Sequence, residues 1–376
     1  MVLGGVESFM FELNEVFRKK VSRRDFLKYS SALAAMLGLS EMYVPQIANA
    51  LENVTSNKVP VIWLNGAACT GCTVSFANSA HPTVAELILD TLSLKYNETL
   101  MAASGEVSEK ALTDAMQQFK GKYVMVVEGA IPTKDSGVYL KIAGKPFLDI
   151  VREVSKGAAY NVAVGTCASF GGIPAAEPNP TGAKGLKDVV AGPVVNIPGC
   201  PAHPDWVVGS LVQIIMFGRL PALDQYGRPA MFFGNLIHDN CPRRGAYEAG
   251  KFVKSFGVEL DGINGCMGGK GCRGPITHSD CPQRLWNNGT NFCIGASAPC
   301  AGCTEPSFPK GALYEAIPEV SKAFNASESG VAGENGMAGV GTLGASVGGA
   351  VAGAAAAAGA IYLTNQKAKD EKKEGV

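Results

Sequence analysis

The residues from Phe232 to Pro309 constrain this chain more than any others. They are rich in Gly, Asn, Pro and Cys and carry few long apolar periods, so they cannot build a large core and must be stapled. The densest part, CPQRLWNNGTNFCIGASAPCAGC, places Cys281, Cys293, Cys300 and Cys303 in one short stretch. Ahead of it stand His238 and Cys241 in HDNC, then Cys266 and Cys272 in GCMGGKGC. The order predicts two sets of four soft donors, His238 with Cys241, Cys266 and Cys272, and Cys281 with Cys293, Cys300 and Cys303.

The chain has 11 cysteines in 376 residues, which is high for a cytosolic enzyme and odd in number. Three staples compete. Disulfides suit a loop-rich segment bound for an oxidising compartment, but an odd count leaves a thiol outside any complete scheme. Zinc and iron-sulfur clusters both take thiolates and imidazole. With His238 the cysteines make three sites of four. Lys plus Arg equals Asp plus Glu at 33 each, so nothing in the charge points to nucleic acid.

Between Val59 and Phe217 strand and helix signals alternate. Val59–Leu64, Lys122–Val127, Asn161–Gly165 and Val194–Ile197 are short apolar runs read as strands; Val84–Asp90, Pro146–Val154 and Asp205–Phe217 read as helices. Strands apolar on both faces and separated by helices imply an α/β, flavodoxin-like domain over 51–230 with a covered parallel sheet. Ligands of such sheets sit beyond the carboxyl ends of the strands. Cys69 and Cys72 (CTGC), Cys167 (GTCASFGG) and Cys200 (PGCPAHP) all follow predicted strands there, each expected in a loop. They form the third set. An irregular metal-binding domain follows over 231–315.

Both ends read as addresses. Ser22-Arg23-Arg24-Asp25-Phe26-Leu27-Lys28, an apolar run and Ala48-Asn49-Ala50 make residues 1–50 a twin-arginine export signal, a route that carries proteins already folded around cofactors. After a linker at 316–335, residues 336–364 hold no charge and are long enough for a transmembrane helix. The basic tail at 365–376, with Lys367, Lys369, Lys372 and Lys373, would stay cytoplasmic and leave the body of the protein outside.

From about Val59 through Pro309 the chain resembles the small, electron-transferring subunit of nickel-iron hydrogenases. The motifs are CTGC, EGAIP (Glu128 to Pro132), GTCASFGGIPAAEPNPTG, PGCPAHPDW, HDNCPR, GCMGGKGCRGP, CPQRLWNNGTNF and PCAGCTEPSFP. The resemblance implies a proximal 4Fe-4S cluster on Cys69, Cys72, Cys167 and Cys200, and a distal one on His238, Cys241, Cys266 and Cys272. It also implies a medial cluster on Cys281, Cys300 and Cys303. Many members have proline at Cys293 and a medial 3Fe-4S cluster; the thiol here predicts 4Fe-4S. Val74 stands where many members have Glu, and both departures resemble the selenium-containing subgroup. Gly71 leaves no extra cysteine of the oxygen-tolerant type, so a standard proximal cluster and oxygen sensitivity are expected.

The resemblance assigns hydrogen cleavage to a separate large subunit with a nickel-iron site, so no catalytic residue is expected here. Electrons would leave through the neutral His238 side of the distal site to a membrane cytochrome b or a periplasmic multihaem cytochrome. Competing readings are a related respiratory-complex electron-transfer subunit, against which the eight donors from His238 onward argue, and a disulfide- or zinc-stapled exported binding protein. His81 and His203 read as helix-start or core histidines, His278 as a surplus donor, and Trp286 as a core aromatic.

Overall fold

The computed structural model describes residues 58–79, 92–253, 255–256, 265–309 and 313–315. The export signal, the Val84–Asp90 segment, His81, the 316–335 linker, the 336–364 segment and the basic tail lie outside these described residues. Among the described residues no helix is long and apolar enough to cross a membrane.

Five strands make the central sheet: β1 (Val59–Asn65), β2 (Leu92–Asn97), β3 (Val124–Glu128), β4 (Tyr160–Val164) and β5 (Val194–Ile197). Their order is β2-β1-β3-β4-β5 with every neighbour parallel, the arrangement of flavodoxin-like doubly wound sheets. Parallel sheets are covered on both faces, which is why β1 and β3 are apolar almost without alternation. Val61, Trp63, Val124 and Val126 face one side; Ile62, Leu64, Met125 and Val127 face the other.

The helices between the strands are α1 (Gly71–Ala77), α2 (Gly105–Gln118), α3 (Phe147–Gly157), α4 (Gly165–Phe170) and α5 (Pro204–Phe217). On α3, Phe147, Ile150, Val151 and Val154 repeat at helical spacing and cover the second face. The first face takes Trp206, Val207 and Leu211 of α5 together with Phe232, Met267 and Phe292 of the loop-rich stretch. That stretch therefore docks on the sheet. Past Gly218 the described residues hold no helix longer than five residues, among them α6 (Ala230–Phe233), α7 (Arg244–Glu248) and α8 (Cys281–Arg284).

Strand β2 and helices α1, α2 and α4 were not anticipated from the sequence. β2 (LSLKYN) is a partly exposed edge strand, so its apolar signal is broken. On α2 only Ala115 is buried, which leaves too thin a stripe for periodicity to register.

Candidate metal centres

The carboxyl ends of β1, β4 and β5 deliver the first donor set. Cys69 and Cys200 are exposed at the rim, Cys167 is half-buried and Cys72 is buried. The expectation that each lies in a loop holds for Cys69 and Cys200 but not for the other two. Cys72 stands in the first turn of α1, five residues beyond β1, and Cys167 within α4, which follows β4 directly. Glycine makes this possible: at Gly165 (φ 84°) a Cβ would lie 2.4 Å from Cys72 Sγ, and at Gly172 (φ 52°) 2.8 Å from the Cys167 nitrogen.

The four thiols sense one another. Burial raises the pKa of Cys72 far above the ordinary thiol range, and the charges of Glu128, Cys167 and Cys200 add to it. Cys167 is pushed up to about 11, first by burial, with Cys200 and Cys69 contributing. Glu128, 2% exposed at the end of β3, accepts hydrogen bonds from the Cys72 and Thr73 backbone N–H groups at 3.0 Å and from the Thr73 hydroxyl. A buried carboxylate is thereby tied to the start of α1, favourable for a negative group at a helix N-terminus.

His238, Cys241, Cys266 and Cys272 line one small pocket, with Arg243, Met267 and Ile294 in its wall. Burial and the Arg244 charge hold the His238 pKa below its ordinary value, so the ring is neutral and able to ligate. Its ring meets Tyr247 edge-on at 4.8 Å. Backbone N–H groups of Arg243 and Gly268 point at Cys241 and Cys266 Sγ, each at 3.4 Å.

In the remaining set Cys281 and Cys300 are buried and Cys303 half-buried. Cys293 is the exposed member, yet its sulfur is set deep enough that desolvation raises its pKa. Cys303, pushed up to about 12 by burial, interacts with Cys281 and Cys293, and Cys300 interacts with Cys303. Adjacent sets also touch. The Thr166 hydroxyl, next to Cys167 in α4, donates to the Cys303 carbonyl, and the Arg273 N–H, next to Cys272, donates to the Cys300 carbonyl at 2.8 Å.

All 11 cysteines are free thiols, so disulfides do not staple the loops. Among the described residues no group of three or more His, Cys, Asp and Glu side chains is set closely enough for a single metal ion. A cluster, which brings its own iron and sulfide between the thiolates, needs wider spacing. Donor type, convergence and the distal cavity all fit such a group.

Of the other histidines, His203 and His278 lie among the described residues. His203 is the N-cap of α5, its Nδ1 accepting from the Asp205 N–H at 3.1 Å and its Nε2 lying 2.7 Å from the Leu285 carbonyl. His278 Nδ1 sits 3.2 Å from Glu305. Trp286 packs on His203 and Trp206, as expected of a core aromatic. Sequence reasoning quoted Glu128 only inside a motif and passed over Ser279; an acid ending an apolar strand and a serine two residues before a cysteine were the available signals.

Comparison with known proteins separates the remaining readings. Residues 69–214 match the family described as NADH ubiquinone oxidoreductase, 20 Kd subunit, which covers the first donor set alone. Residues 233–314 match the C-terminal family of NiFe/NiFeSe hydrogenase small subunits, which spans all eight donors from His238 to Cys303. The uptake hydrogenase small subunit of Azotobacter vinelandii is 42% identical over 325 residues, 85% of this chain and 90% of that protein. The chain belongs to the nickel-iron hydrogenase small-subunit family. The periplasmic [NiFe] hydrogenase small subunit 1 of Nitratidesulfovibrio vulgaris is 44% identical, covering 79% of this chain and 94% of that protein. The crystal structure of a reduced, active Ni-Fe-Se hydrogenase from Desulfomicrobium baculatum aligns with a TM-score of 0.65 at 40% identity, over 69% of this chain and all of that one. As a hydrogenase small subunit the chain is part of an oxidoreductase, pairs with a large nickel-iron subunit and carries three iron-sulfur clusters. Residues 20–40 match the twin-arginine translocation pathway signal sequence, in agreement with the export signal read at Ser22 to Lys28.

Proposed function

We propose that this chain transfers electrons from hydrogen oxidation in its large partner to an acceptor at the membrane. In this reading Cys69, Cys72, Cys167 and Cys200 hold the proximal 4Fe-4S cluster. Cys281, Cys293, Cys300 and Cys303 hold a medial 4Fe-4S cluster, and His238, Cys241, Cys266 and Cys272 hold the distal one. Iron-sulfur clusters supply reversible one-electron storage, with potentials tuned by net charge, hydrogen bonds to sulfur and exposure. The observation that carries the reading is the tie between consecutive sets, Thr166 hydroxyl (beside Cys167) to the Cys303 carbonyl and Arg273 N–H (beside Cys272) to the Cys300 carbonyl at 2.8 Å. It supports the order proximal, medial, distal.

The chain's own residues divide the work. Cys69 and Cys200 are exposed beside Val74 (53% exposed) and Ile173 (51%), an apolar and thiol-bearing rim that the large partner would cover. Neutral His238 makes its set less negative than a four-thiolate set by about one charge, which raises the potential at the exit. The fourth medial thiol, Cys293, supports the tetranuclear form. The uncharged 336–364 segment and the lysines behind it support a C-terminal anchor on the outer face of the membrane. The acceptor favoured by such an anchor is a membrane cytochrome b; a periplasmic multihaem cytochrome is the other.

Anaerobically purified heterodimer should contain about twelve iron atoms and as many sulfides beyond the partner's metals, three tetranuclear sets. A colourless protein without labile sulfide removes the reading. A strong 3Fe-4S resonance in the oxidised sample contradicts the role of Cys293. Release of the heterodimer from membranes on truncation before Gly336 tests the anchor.

A further inference from the structure

Cys281 opens α8 and receives more help from side chains than its neighbours do. The Ser279 hydroxyl lies 3.0 Å from Cys281 Sγ, and its oxygen accepts the Cys281 backbone N–H at 3.2 Å. With its acceptor side taken by that N–H, the hydroxyl proton is directed at the sulfur. Ser279 is 1% exposed, so no water competes for it. Thr277, the hydroxyl beside Cys300, instead gives its proton to the Arg273 carbonyl at 2.5 Å and stands 3.8 Å from the sulfur.

We propose that Ser279 is a positioning residue that raises the redox potential of the medial cluster through its hydrogen bond to the Cys281 thiolate. The inference rests on the reading above that Cys281 ligates this cluster. Donors to sulfur stabilise negative charge, and the reduced cluster carries one more electron than the oxidised one, so their loss lowers the potential.

The test is an EPR-monitored redox titration of the intact heterodimer. Ser279→Ala should move the medial midpoint to more negative values and leave the proximal and distal midpoints in place, whereas Ser279→Thr, which keeps a hydroxyl, should hold the wild-type value. Should Ser279→Ala fail to fold, Ser279→Cys, a weaker donor, should give a smaller shift in the same direction. Three clusters with an unmoved medial midpoint, or three midpoints moving together, overturn this inference and leave the electron-transfer reading standing. A wild-type protein without cluster signals removes the ligand assignment and this inference with it.

Discussion

The sheet and the loop-rich stretch use their cysteines in different proportions. Around β1, β3 and β4 the core is made of Ile62, Leu64, Val126, Val127 and Val162, all fully buried; of the four thiols there only Cys72 joins it, and Cys69 and Cys200 are exposed at the rim. Between Phe232 and Pro309 the buried set includes Cys266, Cys272, Cys281 and Cys300 themselves. One unit folds by burying hydrocarbon and then presents ligands. The other has little hydrocarbon to bury, so ligation stands in for a core.

Removing iron should bring out this contrast most visibly. After chelation under reducing conditions, hydrogen exchange read by mass spectrometry should show amides in 232–309 losing protection while β1 and β3 keep theirs; equal loss in both units would refute the contrast. The next largest effect is the difference between two single substitutions. Cys300→Ala, in the buried set, should speed exchange throughout the loop-rich stretch, whereas Cys69→Ala should alter the proximal EPR signal and leave strand protection unchanged.

The joint between the units offers a sharper probe. Arg228, 1% exposed, pairs with Asp224 at 2.7 Å and with Glu305 at 3.0 Å, and donates to the Thr304 carbonyl next to Cys303. Arg228→Leu strands a buried carboxylate, a change of about 3–5 kcal/mol. A drop in the melting temperature should accompany faster exchange around 300–309 rather than in the sheet. The smallest effect is a pH dependence confined to the sheet unit. Desolvation raises the Glu98 pKa from 4.5 to about 7. The folded state then keeps a proton that the unfolded chain releases, so the associated stability is complete below pH 4.5 and is lost as pH rises through about 7. Glu98→Gln should flatten the melting temperature across that window.

Strands β1, β3, β4 and β5 were legible because full burial on both faces leaves an uninterrupted apolar run. β2 and α2 were not, since an edge strand and a thinly packed helix bury too little to leave a pattern. Helix α5 was read from Asp205 and begins at Pro204, with His203 capping it as a core-type histidine and not as a ligand. Glu128 escaped notice for a different reason. Its partners Cys72 and Thr73 are more than fifty residues away, and no local spacing encodes that meeting.

The number of thiols, their order and their fall at the ends of strands belong to the sequence, because they follow from residue type and from periodicities of two and 3.6. Which carbonyl or carboxylate meets which donor belongs to the tertiary structure. Such donors act over a few ångströms and come from distant segments, so only packing of the loop-rich stretch on the sheet could bring Thr166 to Cys303, His203 to Leu285 and Arg228 to Glu305.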